Sequence, residues 1–306
     1  MTDLPASVRF ENGRGGMPVL LVSGAAASAE IYLHGATVTG WTPRGAEPVL
    51  WVSAASRFTR DAALRGGVPI CFPWFGPRAG HPESPSHGFA RLSQWSLAGA
   101  WDDGEEVTVR LRLTDRDARG ASAWPHPFEA IYTVVIGSRL SLALTVTNHG
   151  DDDLVFEEAL HTYLGVRDIR TTEVTGLQGA PFSDSRCGPQ AVPGDPGPVR
   201  FRAETDRLYP GSTATATVHD GGAGRCVVIA KAGSESTVVW NPWADKARDL
   251  PDMGDDEWTR MLCVEVGNLR DAAVGLAPGG SHTMTAIFGL SSSAPSAPSG
   301  PYRTIT

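Results

Sequence analysis

The chain has 306 residues, of which 41% are hydrophobic and 20% charged, so it contains enough apolar material for a large core. Its net charge is −8, with Lys and Arg scattered among Asp and Glu, which argues against a nucleic acid or an anionic membrane as partner. The N-terminus has no apolar signal region and no stretch is as long as a membrane span, so we predict a soluble protein without an export signal.

Period-two alternation of apolar and polar residues recurs along the chain and predicts half-buried antiparallel strands. In chain order, strands are predicted at Val19–Val22, Ala29–Leu33, Thr37–Trp41, Val107–Leu113, Ile131–Ile136, Leu140–Val146, Leu154–Leu160, Val227–Ala230, Thr237–Trp240, Met261–Val266 and Met284–Phe288. Apolar residues never follow a 3.6-residue period over a dozen positions, and 35 glycines and 23 prolines would disrupt long helices. The pattern predicts an all-β sandwich or barrel.

We find no composition change that would divide residues 1–290, which we interpret as one β-sandwich domain. Residues 291–306 are rich in Ser, Pro and Ala at their start and are predicted to be a disordered tail. The four cysteines are far apart and form no CxxC pair. We therefore expect reduced thiols, a cytoplasmic location and no structural zinc.

Two segments carry arginines beside glycines, and the usual phosphate-loop and nucleophile-elbow motifs are absent. In the first, Arg65 precedes two glycines, which permit a sharp turn or close approach of a ligand, and three aromatic residues follow that could stack on a sugar. The second places His87 and Arg91 around a glycine. Either segment could also be an ordinary connection with surface arginines and a hydrogen-bonded histidine.

Two predicted strands contain ionisable residues among apolar ones. Glu157, Glu158 and His161 interrupt the first, and Glu265 interrupts the second. Burial of such groups is unfavourable unless they are paired, so these strands are candidates for an active site. A histidine bonded to the backbone and a solvent-facing Glu265 on an edge strand are the alternatives. Trp240 lies in a Trp-Asn-Pro-Trp sequence that could be core or a sugar platform.

Taken together, six motifs in this order resemble the hexose-6-phosphate mutarotase branch of the aldose 1-epimerase superfamily over about residues 10 to 290. The motifs are Arg65-Gly-Gly-Val-Pro with Phe72-Pro-Trp-Phe-Gly76, His87-Gly-Phe-Ala-Arg91, Glu158-Ala-Leu-His-Thr-Tyr163, Glu204-Thr-Asp-Arg-Leu-Tyr209, Val239-Trp-Asn-Pro-Trp243 and Cys263-Val-Glu-Val-Gly-Asn268. The resemblance implies a galactose-mutarotase-like antiparallel β supersandwich and an isomerase that interconverts the α and β anomers of a hexose 6-phosphate.

The resemblance also implies roles for individual residues. His161 and Glu265 would be the catalytic pair, Arg65 and Arg91 would bind the phosphate, and Asp206 would hold sugar hydroxyls. We include His87 and Trp240 among the substrate-binding residues. At Ser86 this branch usually carries Gln, and since serine is shorter and offers one donor fewer, direct substrate contact there is in doubt.

Anomers interconvert when the hemiacetal ring opens and closes on the other face of C1. Glu265 would accept the O1 proton and His161 would donate a proton to the ring oxygen, with the two groups on opposite sides of the hemiacetal. Histidine suits this role because its ordinary pKa is near neutral pH. The chemistry requires no metal, nicotinamide or other cofactor, and we expect a monomer with a small-molecule partner.

Several other functions are consistent with the same residues. Glu157 or Glu158 with Glu265 could form a glycosidase pair. The aromatic residues could belong to a non-catalytic carbohydrate-binding module, or the enzyme could act on unphosphorylated aldoses. A cupin-like metal site is the last alternative, and its ligands would be His81, His87 and His161.

Overall fold

The computed structural model describes residues 4–186, 188 and 190–292. Its strands are β1 (Val8–Asn12), β2 (Pro18–Ser23), β3 (Ala27–Tyr32), β4 (Thr37–Pro43), β5 (Ile70–Cys71), β6 (Ser96–Asp102), β7 (Val107–Thr114), β8 (Phe128–Ile136), β9 (Arg139–Asn148), β10 (Leu154–Phe156), β11 (Glu158–Leu160), β12 (Tyr163–Gly165), β13 (Thr172–Thr175), β14 (Phe182–Asp184), β15 (Ala191–Val192), β16 (Val199–Arg200), β17 (Thr205–Pro210), β18 (Ala216–Asp220), β19 (Arg225–Ala232), β20 (Ser236–Asn241), β21 (Met261–Asn268), β22 (Val274–Leu276) and β23 (Ser281–Ser292).

Helical structure is confined to short pieces. The described chain has a single α-helix, α1 (Trp243–Arg248). Single turns of 3₁₀-helix are formed by Arg14–Gly16, Ala90–Leu92, Ala121–Ala123, Ile169–Thr171, Glu257–Arg260 and Arg270–Ala272. Over the described residues, none of these helices is long and apolar enough to cross a membrane.

The strands form four antiparallel sheets, two of them large. The nine-stranded sheet has the order β16-β13-β18-β19-β23-β9-β8-β7-β6, and the eight-stranded sheet has the order β15-β14-β17-β20-β21-β11-β5, with β12 also paired to β21. A four-stranded sheet, β1-β2-β3-β4, and a pair, β10-β22, complete the fold. The sandwich predicted from the alternating pattern is therefore present.

The alternation within strands decides which side chains enter the core. Leu142 and Leu144 of β9 belong to the same buried cluster as Leu262 and Val264 of β21, so this cluster lies between the two large sheets. Because successive side chains of a strand point to opposite faces, the odd-numbered residues of β21 face the other side of the eight-stranded sheet. A second, smaller apolar cluster occupies that side, and it includes Cys263.

The strand predicted at Leu154–Leu160 is divided in the structure, whereas the other predicted strands coincide with observed ones. β10 and β11 belong to different sheets and are separated by Glu157. Its carboxylate accepts the backbone N–H of Phe75 at 2.9 Å and that of Arg270 at 2.6 Å. A side chain bound to two neighbouring loops replaces the regular strand pairing at this point.

The first two residues of the predicted tail belong to a strand. β23 continues through residues 291 and 292, which pair with β19, so these two residues are strand. The remainder of the predicted tail, 293–306, lies outside the described residues.

Candidate active site

Strand pairing brings five side chains together on the face of the eight-stranded sheet that is turned away from the main core. Tyr163 lies opposite Cys263 in the β12–β21 pair, and Trp240 lies opposite Cys263 in the β20–β21 pair. His161 and Glu265 are two residues along from Tyr163 and Cys263, respectively, so the period of two places them on the same face. The sequence-predicted catalytic pair therefore lies within one group of neighbouring side chains.

His161 and Glu265 are adjacent and buried. The distance from His161 Nδ1 to Glu265 Oε1 is 3.4 Å, and the two residues are 7% and 1% exposed. Neither His161 Nδ1 nor Glu265 Oε2 has a hydrogen-bond partner among the described residues. The two groups are thus neighbours, whereas the sequence analysis expected them on opposite sides of a sugar.

Burial changes the proton affinity of both groups. Loss of solvent raises the pKa of Glu265 well above its ordinary value, and the nearby Asp206 carboxylate adds to this increase. Loss of solvent lowers the pKa of His161 well below its ordinary value, and His87 and Arg91 lower it further. Burial therefore favours the uncharged form of both groups.

His87 lies over His161 in an unusual backbone conformation. Its φ is 62°, in the left-handed region that non-glycine residues rarely adopt, and its ring centroid is 5.6 Å from that of His161. Nδ1 accepts the Gly76 N–H at 3.2 Å, so the ring hydrogen is on Nε2. Burial, with the nearby positive charge of Arg91, lowers the pKa of His87 to about 3 and keeps the ring neutral.

Arg65 is tied to the same group of side chains by hydrogen bonds. Its Nη1 donates to the Tyr163 hydroxyl at 3.1 Å, and its Nε and Nη2 contact Asp252 Oδ1 at 3.1 and 3.0 Å. The Tyr163 ring stacks on the His161 ring with centroids 4.8 Å apart and an interplanar angle of 6°. Arg65 is therefore connected to His161 through Tyr163, and its charge is already paired with a carboxylate.

Arg91 differs from Arg65 because it has no carboxylate within ion-pair distance in the described part of the chain. Its Nη2 donates to the Ser86 carbonyl oxygen at 2.8 Å, and its Nε has no hydrogen-bond partner there. Arg65, Ser86, Arg91 and Asp252 line one cavity of about 220 Å³, together with the exposed Arg57. Ser86 thus contributes its backbone to the position of Arg91.

Two further predicted residues border the pair. Asp206 of β17 lies opposite Trp240 of β20, and its Oδ2 accepts the Ser185 hydroxyl at 2.5 Å. The Trp240 ring meets the His161 ring edge to face, with centroids 6.0 Å apart. All the residues predicted for the site thus lie either around the pair or at the adjoining cavity.

The glycines of the first motif have the positive φ values of a sharp turn, as expected, whereas two of its three aromatic residues belong to the core. Gly66 and Gly67 have positive φ values of 123° and 66°. A Cβ on either glycine would lie within 2.4 Å of neighbouring backbone, so these glycines allow a close approach of the protein's own backbone and not of a ligand. Phe72 and Trp74 are buried in the main core, so the prediction that they could stack on a sugar is wrong. Phe75 alone of the three packs against His87, at 4.6 Å.

The residues of the competing hypotheses are placed elsewhere. Glu158 lies directly opposite Asn268, and its side chain therefore points to the face of the sheet away from Glu265. Glu157 is bound to backbone N–H groups. His81 is exposed and contacts Glu83 at 3.3 Å. Neither the glycosidase pair nor the three-histidine metal site is assembled by these positions.

The sequence analysis did not single out Tyr163, Cys263 or Asp252. Tyr163 and Cys263 could have been found, because each is two residues from a predicted catalytic group and must share its face in a strand. Asp252 lies in a loop and carries no comparable signal.

Comparison with known proteins places this geometry in a family. The model of the family described as "Aldose 1-epimerase" matches residues 18–289. A protein of Salmonella typhimurium named "Putative glucose-6-phosphate 1-epimerase" is 34% identical to this chain, and the alignment covers 81% of this chain and 82% of the relative. A protein of the same name from Cenchrus ciliaris is also 34% identical, with 78% of this chain and 74% of the relative covered. The crystal structure of a "putative mutarotase (YeaD)" from Salmonella typhimurium superposes with a TM-score of 0.87 at 29% identity, covering 95% of this chain and 96% of that one.

The fold is therefore that of the mutarotases, an all-β antiparallel sandwich, as the six motifs indicated. The chain belongs to the aldose 1-epimerase family, a family of isomerases, and its substrate is a carbohydrate. The family expected from the sequence is confirmed.

Proposed function

We propose that the protein interconverts the α and β anomers of D-glucose 6-phosphate or a related hexose 6-phosphate. The observation that carries this proposal is the buried His161–Glu265 pair beside a cavity lined by Arg65 and Arg91. The names of the relatives in Salmonella typhimurium and Cenchrus ciliaris support the same substrate.

The reaction requires two proton transfers, one at O1 and one at the ring oxygen, and both oxygens are bonded to C1. Glu265 takes the O1 proton, C1 becomes a carbonyl carbon as its bond to the ring oxygen breaks, and His161 gives a proton to that oxygen. Rotation about the C1–C2 bond and reversal of these steps close the ring on the other face. O1 and the ring oxygen are both bonded to C1, so an acid and a base only 3.4 Å apart can reach both from one side.

These roles need the ion pair, with the proton on His161, whereas burial favours the uncharged form of each group. The uncharged pair and the ion pair contain the same number of protons, and they differ only in whether Glu265 or His161 carries the shared proton. A bound phosphate dianion would offset the positive charges of Arg65 and Arg91, which lower the pKa of His161. Substrate binding would therefore favour the ion pair that the reaction uses.

The phosphate supplies affinity. Arginine presents several donors in a planar fork and stays charged, which suits a phosphate better than lysine does. Arg91, whose Nε is unpartnered among the described atoms, is the stronger candidate for direct contact. Arg65 forms an ion pair with Asp252, so part of its positive charge would already be balanced when it binds the phosphate.

The decisive test is saturation-transfer NMR of anomer exchange on glucose 6-phosphate, free glucose and free galactose. Arg91→Ala should raise KM for glucose 6-phosphate about tenfold or more, since hydrogen bonds to charged groups contribute about 1.5–3 kcal/mol. KM for free glucose should stay unchanged, because free glucose has no phosphate for Arg91 to bind. Arg200→Ala removes a matched arginine at the edge of the nine-stranded sheet and should change neither value.

A mutarotase for unphosphorylated aldoses is the second candidate, and the Arg65–Asp252 ion pair favours it because that pair reduces the positive charge of the cavity. This function would be selected over the first if free galactose were turned over as fast as glucose 6-phosphate or faster, and if Arg91→Ala left KM for glucose 6-phosphate unchanged. Sugar binding without any acceleration of exchange would select a binding module.

We further propose a reducing location such as the cytoplasm, which the free thiols of Cys71, Cys226 and Cys263 support.

A further inference from the structure

A third potential ligand lies beside the proposed catalytic pair. Cys263 is buried and unpaired, and its Sγ, a nitrogen of His161 and an oxygen of Glu265 all lie within 4.8 Å of one another. Over the described part of the chain, this is the one group of three or more His, Cys, Asp or Glu side chains with such spacing. The period of two puts Cys263 and Glu265 on one face of β21, next to His161.

Two of the three side chains have electron pairs that no other described residue uses. His161 and Glu265 are more than nine-tenths buried, and within the described residues His161 Nδ1 and Glu265 Oε2 lack hydrogen-bond partners. A buried polar atom without a partner is unfavourable and gains by binding a ligand.

We propose that His161, Cys263 and Glu265 form a binding site for a thiophilic divalent cation, Zn²⁺ or Cd²⁺, and that the bound ion inhibits the enzyme by occupying the position of the sugar. The inhibitory effect rests on the proposed mutarotase function, whereas the binding itself does not.

The donor set and its spacing fit this class of ion. Zinc binds one thiolate, one imidazole and one carboxylate at about 2.0–2.3 Å, which in a tetrahedral site separates ligand atoms by roughly 3.3–3.6 Å. The His161–Glu265 distance of 3.4 Å already meets this requirement, and the Cys263 sulfur, which lies within 4.8 Å of both partners, needs to move by no more than about 1 Å. Because sulfur is a soft ligand, Mg²⁺ and Ca²⁺ would not compete.

Metal binding would remove both functions needed for exchange. The ion takes the lone pairs with which Glu265 accepts a proton and His161 carries one, and the Cys263 thiol and the Glu265 carboxyl release their protons to solvent as their bonds to the metal form. Three protein ligands leave the fourth tetrahedral position for a water, which would stand where the anomeric oxygen must approach.

Cadmium provides a readout that does not depend on activity. On adding CdCl₂ to the metal-free full chain, we expect the ultraviolet charge-transfer band of a cadmium thiolate, one equivalent of bound metal by equilibrium dialysis, and loss of anomer exchange that EDTA reverses. MgCl₂ and CaCl₂ should have no effect at the same concentrations.

Cys263→Ser should lose the band and become about tenfold or more less sensitive to ZnCl₂, measured against its own metal-free rate of anomer exchange, since the soft ligand is gone. Cys226→Ser is the matched control, because Cys226 is a buried thiol of the nine-stranded sheet, and it should behave like the wild type. Cys263→Ala provides a second variant if the serine disturbs folding, and saturating glucose 6-phosphate should suppress the band in the wild type.

An unchanged band or unchanged zinc sensitivity in both Cys263 variants would overturn the proposal, as would a metal-free enzyme that is inactive until zinc is added. A Cys263-dependent band in a protein that exchanges no anomers would instead leave the metal site standing and refute the mutarotase function.

Discussion

Glu265 shows how a single carboxyl group depends on its surroundings. It projects from β21 into a space where Asp206 is the nearest competing negative charge and solvent is excluded. Glu265→Gln keeps the shape of the side chain but removes the base, so we expect kcat for anomer exchange to fall about 10²–10⁴-fold with little change in substrate affinity. Glu235→Gln, at an exposed turn, is the control and should keep wild-type kcat. Retention of most activity by Glu265→Gln would exclude it as the base.

Tyr163 joins two parts of the site, and its hydroxyl and ring can be tested separately. Tyr163→Phe removes the bond to Arg65 and keeps the stacking on His161, so KM for glucose 6-phosphate should rise about two- to tenfold at nearly constant kcat. Tyr163→Leu also removes the stacking and should lower kcat. Steady-state kinetics of the two variants distinguish these effects, and equal effects of both on kcat would show that the ring does not position His161.

At the scale of strands, the sequence pattern was informative wherever one face is buried and the other polar. β9 alternates over ten residues, and that regularity predicts both its existence and its inward side chains. Short strands such as β15 and β16 carry only two residues each and cannot show a period. The break at Glu157 was not predictable, because it depends on loops that are distant along the chain.

The site was predictable to the extent that polar residues interrupt apolar strands. His161 and Glu265 stood out for this reason, and the same reasoning also flagged Glu158, whose side chain lies on the opposite face of the sheet. The pattern could not separate Glu158 from Glu265, because which face a buried carboxyl occupies depends on strand register. The position of Asp252 beside Arg65 depends on loop packing, and loop packing produces no periodic pattern in the sequence.

Glu158 and His282 connect the two large sheets. The buried Glu158 accepts a bond from Asn268 at 2.9 Å and contacts His282 of β23 at 3.2 Å. The hydrogen bond and charge of Glu158 raise the pKa of His282, while burial raises that of Glu158. Because the pKa of His282 is raised, the folded state holds the His282 proton more tightly than the unfolded state. The stabilisation from this contact is therefore present below about pH 6.5 and is lost as the pH rises through the raised pKa of His282.

We therefore expect His282→Asn to lower Tm by a few degrees at pH 6, since a buried carboxyl loses a charged partner, a loss of about 1–3 kcal/mol. The difference from wild type should shrink at pH 8.5, as measured by thermal unfolding at both pH values. His149→Asn replaces an exposed histidine and should show no pH-dependent difference. A constant difference for His282→Asn would mean that His282 acts only through packing.

The surface of the whole molecule bears on its assembly. Among the described residues, the exposed large hydrophobic side chains are Phe10, Trp101 and Val155, which belong to three different sheets. Isolated apolar residues do not make the continuous patch that a stable interface needs. We expect a monomer near 32.4 kDa by light scattering after size-exclusion chromatography. A concentration-independent dimer mass would contradict this.

The position of β23 affects how the molecule can be made. It is the central strand of the nine-stranded sheet and alone connects β16-β13-β18-β19 with β9-β8-β7-β6. A ribosome-bound chain that has not yet released Ser281–Ser292 therefore holds two half-sheets, each with an open edge to which a chaperone or another chain could pair. The nine-stranded sheet is complete only once β23 has paired with both β19 and β9, and we expect a synthetic peptide of the β23 sequence to complement a chain truncated before it.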